Sequence, residues 1–334
     1  MATYKGIQGY SVQSLASDPT AEDTIGQLFY NSASNVWKLS IDAGGAWSSG
    51  NSMTGNAKSA GYCGTQTAAL QFGGSPPAGP AGNQGEIYDG TSWTETNNLN
   101  TSTYYNAGLG TTTAAVSAGG FQGPVSAGSE TWNGTCWTDT NSLNSTRRSF
   151  HGVGTQTAGL VAFGVDGATN NVRTESYNGT CWTELNDGLT ARNESANIGT
   201  TTACIAATGI TPPGIADFFG NESWNGTSWT EVNNVNTARM SCGSSGISTL
   251  GIIFGGKISP APPEHVGANT ESWNGTSWTE VGDLVTKRSN WAASSTGGTA
   301  SAAMGAGGTD GPTILAVTEE WNDPSYVVKT VTTS

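Results

Sequence analysis

The sequence has little charge, few histidines and few residues that favour helices. Only 11% of its 334 residues are charged, and 12 lysines and arginines face 25 aspartates and glutamates, so the formal net charge is −13. Nucleic-acid binding depends on cations that neutralise phosphates, so we expect no nucleic-acid partner. With only 2 histidines and no Cys-x-x-Cys pair, we also expect no metal site and no cofactor.

Long apolar runs are also missing from the sequence. No stretch of about 18 apolar residues occurs, which predicts that no segment spans a membrane. The first residues, MATYKGIQGYSVQS, contain no apolar stretch of the kind found in secretory signal peptides. We interpret the five cysteines as small buried or half-buried residues rather than metal ligands. They are Cys63, Cys136, Cys181, Cys204 and Cys242.

Glycine, threonine, serine, asparagine and tryptophan are abundant instead, and this composition is typical of all-β proteins. Within it, a motif of eight residues recurs. Trp132-Asn-Gly-Thr-Cys-Trp137-Thr-Asp has counterparts with two aromatic residues five positions apart. Counted from the second aromatic, the repeats start at Trp47, Trp93, Trp137, Trp182, Trp229 and Trp278. The spacing of 44 to 49 residues indicates β-propeller blades rather than helical solenoids.

Two further positions keep the same register in every repeat. A glutamate stands two residues before the first aromatic, at Glu86, Glu130, Glu175, Glu222, Glu271 and Glu319. A glycine stands 27 residues after the start, at Gly74, Gly120, Gly164, Gly209, Gly256 and Gly305. A glycine at a fixed place after an apolar run indicates a positive φ or a close backbone approach.

Each repeat is therefore predicted to form four short strands. Phe150 to Val153 exemplifies the first strand, and Leu250 to Phe254 the second. The third carries Glu-x-Trp/Tyr and the fourth Trp-Thr-Glu, joined by Asn-Gly or Asp-Gly, the strongest local hairpin signal. Asn-Gly-Thr also matches a glycosylation sequence, but turn chemistry explains it better. The predicted fold class is all-β, a six-bladed β-propeller with four-stranded blades.

The apolar run into Gly-Gly, followed by Glu-x-Tyr/Trp and Trp, resembles the kelch repeat and the kelch-like blades of galactose oxidase. The resemblance covers about residues 46 to 322 and implies a kelch-like propeller. The double glycine is complete only at Gly73-Gly74, Gly119-Gly120 and Gly255-Gly256. The copper site of galactose oxidase needs His and Tyr ligands, and this chain has only His151 and His265, so no copper chemistry is expected.

Residues 1–44 precede the repeats and are predicted to form an N-terminal arm with a short β-hairpin between Ile25 and Leu39. The GQLFYN…VWKL hairpin, with the polar lead Tyr10-Ser-Val-Gln-Ser, resembles N-terminal segments of marine phage structural proteins. Together with kelch-like repeats of low charge, it makes the chain look like a virion protein of a tailed, cyanophage-like phage. The resemblance implies docking to the particle through this arm.

Residues 45–334 are predicted to form the propeller, closed by strands from both ends. Trp47 resembles a fourth strand without a blade of its own, and Tyr326 stands where the last repeat would place its fourth-strand Trp. We therefore expect residues near 45 to 50 and the strand 325 to 331 to meet in one blade. Which terminus supplies the closing strand is left open.

Four repeats carry an arginine ten residues after their start, where the other two have Ala57 and Thr103. These arginines are Arg147, Arg192, Arg239 and Arg288. At the start of the innermost strand they would line one mouth of the central channel. One interpretation is that they pair with the third-strand glutamates or cap carbonyls between blades. The other is a basic ring that accepts an anion, such as a sugar acid or a carboxylate of a partner chain.

The count from each repeat start to its glycine is fixed at 27, so all variation in repeat length falls between the glycine and the next aromatic, from 12 to 17 residues. These insertions are predicted to fall in loops between the second and third strands, on the same side of the disc as the arginines. Divergent loops on a rigid scaffold often carry binding residues. The candidates in these loops are Pro76, Pro212, Phe218, Phe219 and His265.

Nucleophilic catalysis with histidine needs an imidazole held by an orienting acid. We interpret His151, in a first strand, and His265, in a proline-rich loop, as packed or solvated side chains. Paired-carboxylate catalysis needs asymmetry, whereas the repeated glutamates are the same in every unit. We therefore predict no catalytic residues and no enzyme activity.

The sequence thus predicts a non-enzymatic virion component, part of the tail, a fibre or the capsid surface, that displays a propeller binding face for host attachment. Expected partners are other virion proteins, with multiple copies per particle. The expected location is the surface of the extracellular particle, after assembly in the host cytoplasm. The alternative is a host-surface glycan-binding receptor module, and a glycan-degrading enzyme has less support.

Overall fold

The computed structural model describes residues 14–19, 27–42, 44–77, 81–167, 169–211, 216–217, 220–258, 265–291, 293–294, 297–323 and 326–331. Every regular element in these ranges is a β-strand, and none of them contains a helix long and apolar enough to cross a membrane. In chain order the strands are β1 (Ser14–Leu15), β2 (Leu28–Asn31), β3 (Val36–Asp42), β4 (Ala46–Gly50), β5 (Gly61–Thr65), β6 (Ala68–Phe72), β7 (Gly85–Tyr88), β8 (Trp93–Thr96), β9 (Ala107–Gly110), β10 (Ala115–Ala118), β11 (Ser129–Trp132), β12 (Trp137–Thr140), β13 (His151–Thr155), β14 (Ala158–Ala162), β15 (Thr174–Tyr177), β16 (Trp182–Glu184), β17 (Ala196–Gly199), β18 (Cys204–Ala207), β19 (Ile210–Thr211), β20 (Ala216–Asp217), β21 (Asn221–Trp224), β22 (Trp229–Val232), β23 (Gly243–Ile247), β24 (Leu250–Phe254), β25 (Lys257–Ile258), β26 (His265–Val266), β27 (Thr270–Trp273), β28 (Trp278–Val281), β29 (Ala293–Ser294), β30 (Ala302–Ala306), β31 (Thr318–Asn322) and β32 (Tyr326–Thr330).

The chain forms two compact units. The smaller one combines Met1–Gly45 with Asp323–Ser334, and the larger one is Ala46–Asn322. The division differs from the expected domain of residues 45–334 at its C-terminal end, because β32 pairs with β3 of the smaller unit. The lead Tyr10-Ser-Val-Gln lies outside the described residues.

The smaller unit is one four-stranded sheet in the order β1-β2-β3-β32. Its centre is the predicted hairpin, in which β2 and β3 pair antiparallel. Asn31 Oδ1 accepts the backbone N–H groups of Ala33 and Ser34, and Asn35 takes a positive φ of 56°, so both ends of the turn use asparagine. The strand β32 adds to β3 in antiparallel register.

The larger unit contains six four-stranded antiparallel sheets in its described part, numbered here 1 to 6 along the chain. Their orders are β5-β6-β7-β8, β9-β10-β11-β12, β13-β14-β15-β16, β17-β18-β21-β22, β23-β24-β27-β28 and β29-β30-β31-β4. Two small hairpins, β19–β20 and β25–β26, extend the loops between the second and third strands of sheets 4 and 5. The prediction of four strands per repeat is confirmed.

The first strands of the six sheets contact one another in a closed cycle, in the order β5, β9, β13, β17, β23, β29 and back to β5. Small residues allow this close approach. At Gly108 in β9, a side-chain Cβ would lie 2.3 Å from the backbone oxygen of Tyr62 in β5. The first strands therefore lie innermost, as the sequence predicted.

The apolar core lies between neighbouring sheets. Its clusters join sheets 1 and 2, 2 and 3, 3 and 4, 4 and 5, and 5, 6 and 1. Each sheet contributes an aromatic pair across its third and fourth strands, with ring centroids 4.8 to 5.7 Å apart. Such pairs add about 0.5–1.5 kcal/mol beyond the burial of their surface.

The recurring Asn-Gly and Asp-Gly pairs are hairpin turns, as predicted. In Asn225-Gly226, the Oδ1 atom accepts the N–H groups of Thr227 and Ser228 at 2.9 Å, and the glycine has a φ of 91°. The same turn places Cys136 and Cys181 at exposed hairpin tips. The interpretation of these two cysteines as buried or half-buried is wrong, because their slot is the solvent-facing end of the turn.

The ends of the repeats differ from expectation in two ways. Strand β4 pairs with β31, whereas β32 pairs with β3, so residues 46–50 and 326–330 do not share a sheet. In sheet 6 the positive-φ glycine pair is Gly307-Gly308, and Gly305 lies inside β30 opposite Glu319. The extra residues of this repeat therefore lie before β30 rather than after it. For this reason, counting 27 residues from Trp278 gives Gly305 instead of the equivalent glycine, Gly308.

Candidate functional site

Six residues from the linkers that lead into the six first strands form a closed ring of backbone hydrogen bonds. The backbone N–H of each residue donates to the backbone carbonyl of the equivalent residue in the preceding linker. Ser59 donates to Asn290 and closes the cycle, and the N···O distances are 2.7 to 3.3 Å. This axial ring consists of Ser59, Tyr105, Ser149, Glu194, Ser241 and Asn290. All six have positive φ angles of 51 to 58°, a conformation that costs L-residues energy and is maintained here by the ring itself.

The side chains of the axial ring alternate in size. Ser59, Ser149 and Ser241 are buried, while Tyr105, Glu194 and Asn290 are partly exposed. The Glu194 carboxylate accepts a hydrogen bond from the Ser241 hydroxyl. The ring thus presents a phenol, a carboxylate and an amide, which differ in chemistry although their backbones are equivalent.

A small cavity of about 40 Å³ lies beside the axial ring. It is lined by ring residues together with Tyr62, His151, Cys242 and Trp291. A water molecule needs about 10–15 Å³ by this measure, so the cavity has room for a few waters, far below the 300–1,000 Å³ of typical ligand pockets.

His151 in this cavity is fully engaged in hydrogen bonds. Its Nδ1 lies 2.5 Å from the Ser195 carbonyl, which can only accept, so Nδ1 carries the proton and Nε2 accepts from the Tyr62 hydroxyl at 3.0 Å. Loss of hydration lowers the pKa of His151 to about 4, although the Ser195 carbonyl opposes this shift. Burial also raises the pKa of the Tyr62 hydroxyl. At neutral pH both groups are therefore uncharged.

The arginines predicted to form an anion site are buried. The side chains of Arg147, Arg192, Arg239 and Arg288 are 0% exposed. Each donates from Nη2 to the third-strand glutamate of the sheet that its linker leads into. The partners are Glu175, Glu222, Glu271 and Glu319. The structure therefore shows the first interpretation, in which the arginines pair with the third-strand glutamates. The arginines do not form an open basic ring for an anion. Burial lowers the pKa values of Arg147, Arg192 and Arg288, and the paired carboxylates oppose that shift.

The repeated glutamates fix the linkers between sheets. Glu86 accepts the backbone N–H groups of Thr54 and Gly55 at 2.7 and 2.9 Å, and equivalent bonds reach the other five glutamates. These residues have a structural role, as their repetition predicted.

The linkers and the loops between second and third strands lie at the same end of the larger unit. In every sheet the residue before the axial ring forms a β-bridge with the residue that follows the positive-φ glycine. These bridges join Lys58 to Ser75, Tyr104 to Phe121, Arg148 to Val165, Asn193 to Ile210, Met240 to Lys257 and Ser289 to Thr309. This end, called the loop face below, confirms the predicted common side.

Of the candidate loop residues, Pro76 is half-buried and lines a cavity of about 340 Å³ with Glu86. His265 is exposed in β26. Pro212, Phe218 and Phe219 lie outside the described residues. Pro76 follows β6 of sheet 1, whereas His265 lies in the small hairpin of sheet 5 and is not among the described residues that line the cavity of Pro76.

The axial ring was missed by the sequence reasoning. The ring residues stand 12 residues after each repeat start, and the positions before and after them differ among the copies just as they do. The sequence therefore offers no repeat signal that could have found the ring.

The fold is similar to that of the solved structure of YjhT, with a TM-score of 0.70 over 85% of this chain and 99% of the YjhT chain. The sequence identity is 11%, so this likeness shows the fold alone. No protein-family model matches the chain, and no curated protein matches it. The chain therefore has an all-β, β-propeller-like fold built of four-stranded sheets.

Proposed function

We propose that this chain is a non-enzymatic virion component of a tailed phage, which attaches through its smaller unit and displays the loop face of its larger unit. The observation that carries this proposal is the division of the chain into two structurally different units. The two hairpins that extend the repeats, β19–β20 and β25–β26, lie in loops of the loop face, and strands from both ends of the chain form a separate sheet. The phage assignment rests on the resemblance of the hairpin around Phe29 and Trp37.

Attachment through the smaller unit is supported by its exposed apolar side chains. Leu28, Trp37 and Val331 are 42 to 44% exposed. Large apolar side chains on the surface of a small sheet commonly mark contacts with another protein. We propose other virion proteins as the partners, with several copies of the chain at the particle surface.

We also propose that the six sheets of the larger unit are the blades of one closed, kelch-like propeller. Supporting this are the cyclic contacts of the first strands and the closed axial ring of hydrogen bonds. An experimental density map with six wedge-shaped sheets around one axis is the expected result.

Binding rather than catalysis is supported by the state of the axial groups. The cavity beside His151 has a volume of only about 40 Å³, and the His151 and Tyr62 polar atoms are already paired with each other. A general base needs a lone pair within reach of a substrate proton.

The experiment that tests the proposal is localisation of the chain on intact particles from its source by cryo-EM. The expected density places the smaller unit against other virion proteins and the loop face outward. A chain that is absent from purified particles contradicts the proposal.

Host-glycan binding is the second candidate function, favoured by the phenol of Tyr105, the carboxylate of Glu194 and the amide of Asn290 around one axis. Aromatic faces and polar side chains together suit sugar recognition. The test is binding to a panel of surface glycans, with a Tyr105→Ala/Glu194→Gln variant expected to lose it. Ile247→Ser is the matched control, because Ile247 is exposed at the end of β23, next to the turn that leads into β24. Cleaved glycan products would indicate an enzyme instead.

A further inference from the structure

The four buried arginines share one arrangement of hydrogen-bond acceptors. Arg239 donates from Nη2 to Glu271 and from Nη1 to the carbonyls of Gly255 and Asn269, at 3.4 and 2.6 Å. Equivalent bonds hold Arg147, Arg192 and Arg288. Each set of one carboxylate and two carbonyls is a cradle for a planar guanidinium group.

Sheet 2 has the cradle without the arginine. Thr103 stands at the arginine position, and the corresponding acceptors are the Glu130 carboxylate and the carbonyls of Gly119 and Gly128. The Thr103 hydroxyl reaches the Gly119 carbonyl at 3.4 Å but is too short to reach the carboxylate as an arginine does. Glu130 keeps the backbone N–H bonds, from Asn100 and Thr101, that the glutamates of the other sheets also accept.

In sheet 4, which has the arginine, a cavity of about 300 Å³ lies beside Arg192 and Glu222. The equivalent cavity of sheet 2 has a volume of about 230 Å³ and also reaches the acceptor residue Gly119. It is lined by Thr103, Gly119, Gly128, Ser129, Glu130 and Asp139, among others. Ser129 is 5% exposed, and its Oγ has no hydrogen-bond partner in the described part of the chain. Ser129 precedes Glu130 in β11, so its side chain points to the opposite face of the sheet from the carboxylate. Its counterparts Thr174, Thr270 and Thr318 each accept an indole N–H from the next sheet.

The cavity carries two carboxylates and no cation. Burial raises the pKa of Glu130, and the nearby charge of Asp139 adds to that effect. A bound cation would lower the pKa of Glu130 again, because a positive charge beside the buried carboxylate favours its ionised form.

Sheet 1 also lacks the arginine but is differently filled. Ala57 stands at that position, and the Gln71 amide donates from Nε2 to the Gly73 carbonyl at 2.8 Å. The Gly73 carbonyl accepts at 2.8 Å, whereas its counterpart Gly119 in sheet 2 accepts only the longer Thr103 bond of 3.4 Å. The sheet 2 cavity is therefore the better site, and the sheet 1 cavity serves as a comparison.

We propose that the cavity beside Glu130 binds a guanidinium group, of the class carried by arginine side chains and by small alkylguanidines. The planar cation donates to the Glu130 carboxylate and to the Gly119 and Gly128 carbonyls, as the internal arginines do in four other sheets. This site is independent of the function proposed above.

The test is a titration of the full-length protein with ethylguanidinium chloride, followed by amide chemical shifts. Saturable shifts are expected at Gly119, Gly128 and Ser129. Propylammonium chloride at the same ionic strength is the control for charge alone, and we expect at least tenfold weaker binding because ammonium lacks the planar fork. A blocked Gly-Arg-Gly peptide forms a second arm. Tighter binding of the peptide than of ethylguanidinium points to a partner chain as the source, and equal binding points to a small molecule.

Three variants sharpen the test. Thr103→Arg supplies an internal guanidinium and should abolish the shifts, whereas Ala57→Arg, in the other cradle, should leave them unchanged. If Thr103→Arg does not fold, Glu130→Gln removes the charge and should weaken binding at least tenfold. Conversely, Arg147→Thr should create a new ethylguanidinium site, seen as added shifts at Phe163 and Arg173.

The proposal is overturned if ethylguanidinium produces no saturable shift at these amides. It is equally overturned if propylammonium binds as well, or if binding survives in both Thr103→Arg and Glu130→Gln.

Discussion

Trp47 of β4 lies directly opposite Trp321 of β31, with ring centroids 5.7 Å apart. The strand β4, which begins the larger unit, thereby completes sheet 6 together with β29, β30 and β31 from the end of that unit. Trp47 also donates from Nε1 to the Thr270 hydroxyl of sheet 5 at 3.0 Å. One side chain therefore joins the beginning of the larger unit to its last two sheets.

Replacing Trp47 with alanine should destabilise the larger unit by about 3–5 kcal/mol, the usual cost of deleting a buried tryptophan. Urea unfolding measured by far-UV circular dichroism gives this value. Trp37→Ala is the control, since Trp37 is 44% exposed in the smaller unit and should cost much less. Equal losses in the two variants would mean that β4 does not hold the last sheet.

Arg239→Met should cost about 3–5 kcal/mol, because it leaves the carboxylate of Glu271 buried without its cation. The double variant Arg239→Met/Glu271→Gln should recover part of this loss, as it removes the unpaired charge. Lys287→Met, at an exposed position, is the control for losing a positive charge and should change stability by less than about 0.5 kcal/mol. A similar loss in Lys287→Met would show that net charge, rather than the buried pair, decides the effect.

Acid should destabilise the protein through His151. In the unfolded chain this histidine takes up a proton near pH 6.5, whereas in the fold it does so only near pH 4, so its contribution is complete above pH 6.5 and lost as the pH falls to about 4. The loss is at most about 3 kcal/mol. The free energy of unfolding is measured between pH 4 and 7 for the wild type and for His151→Gln. It should fall with decreasing pH less steeply in the variant than in the wild type. His265→Gln should follow the wild type, because His265 is exposed; the same flattening in both variants would contradict the assignment.

Two of the five cysteines should react with a thiol reagent in the native protein. Cys136 and Cys181 are exposed, while Cys63, Cys204 and Cys242 are buried. Burial also raises the pKa of the Cys204 thiol to about 12, which suppresses its reactive thiolate. A colorimetric thiol titration should count two fast groups, then five after denaturation. A Cys136→Ser/Cys181→Ser variant should show no fast group, and any fast reaction remaining there would contradict the predicted burial.

Local features of the fold were predictable from the sequence. The turn at Asn225-Gly226 follows from a side chain and a glycine that act within four residues, and the strand Leu250–Phe254 follows from its own apolar run. The role of the repeated glutamates could be inferred because a residue kept in every copy serves the shared backbone. The site was predicted less well. The arginines were recognised, but two interpretations were left open since their burial depends on how sheets meet.

The sequence by itself determined the repeat, its strands and its turns, because these depend on spacing and short-range hydrogen bonds. Only the tertiary structure decided that β4 completes sheet 6 while β32 joins the smaller unit, because strand pairing between chain ends depends on which edges remain open. The axial ring was likewise decided there, since six equivalent backbones become neighbours only when the cycle closes. The acceptors beside Glu130 were also revealed only there, because Thr103 is too short to reach the carboxylate that an arginine reaches in four other sheets.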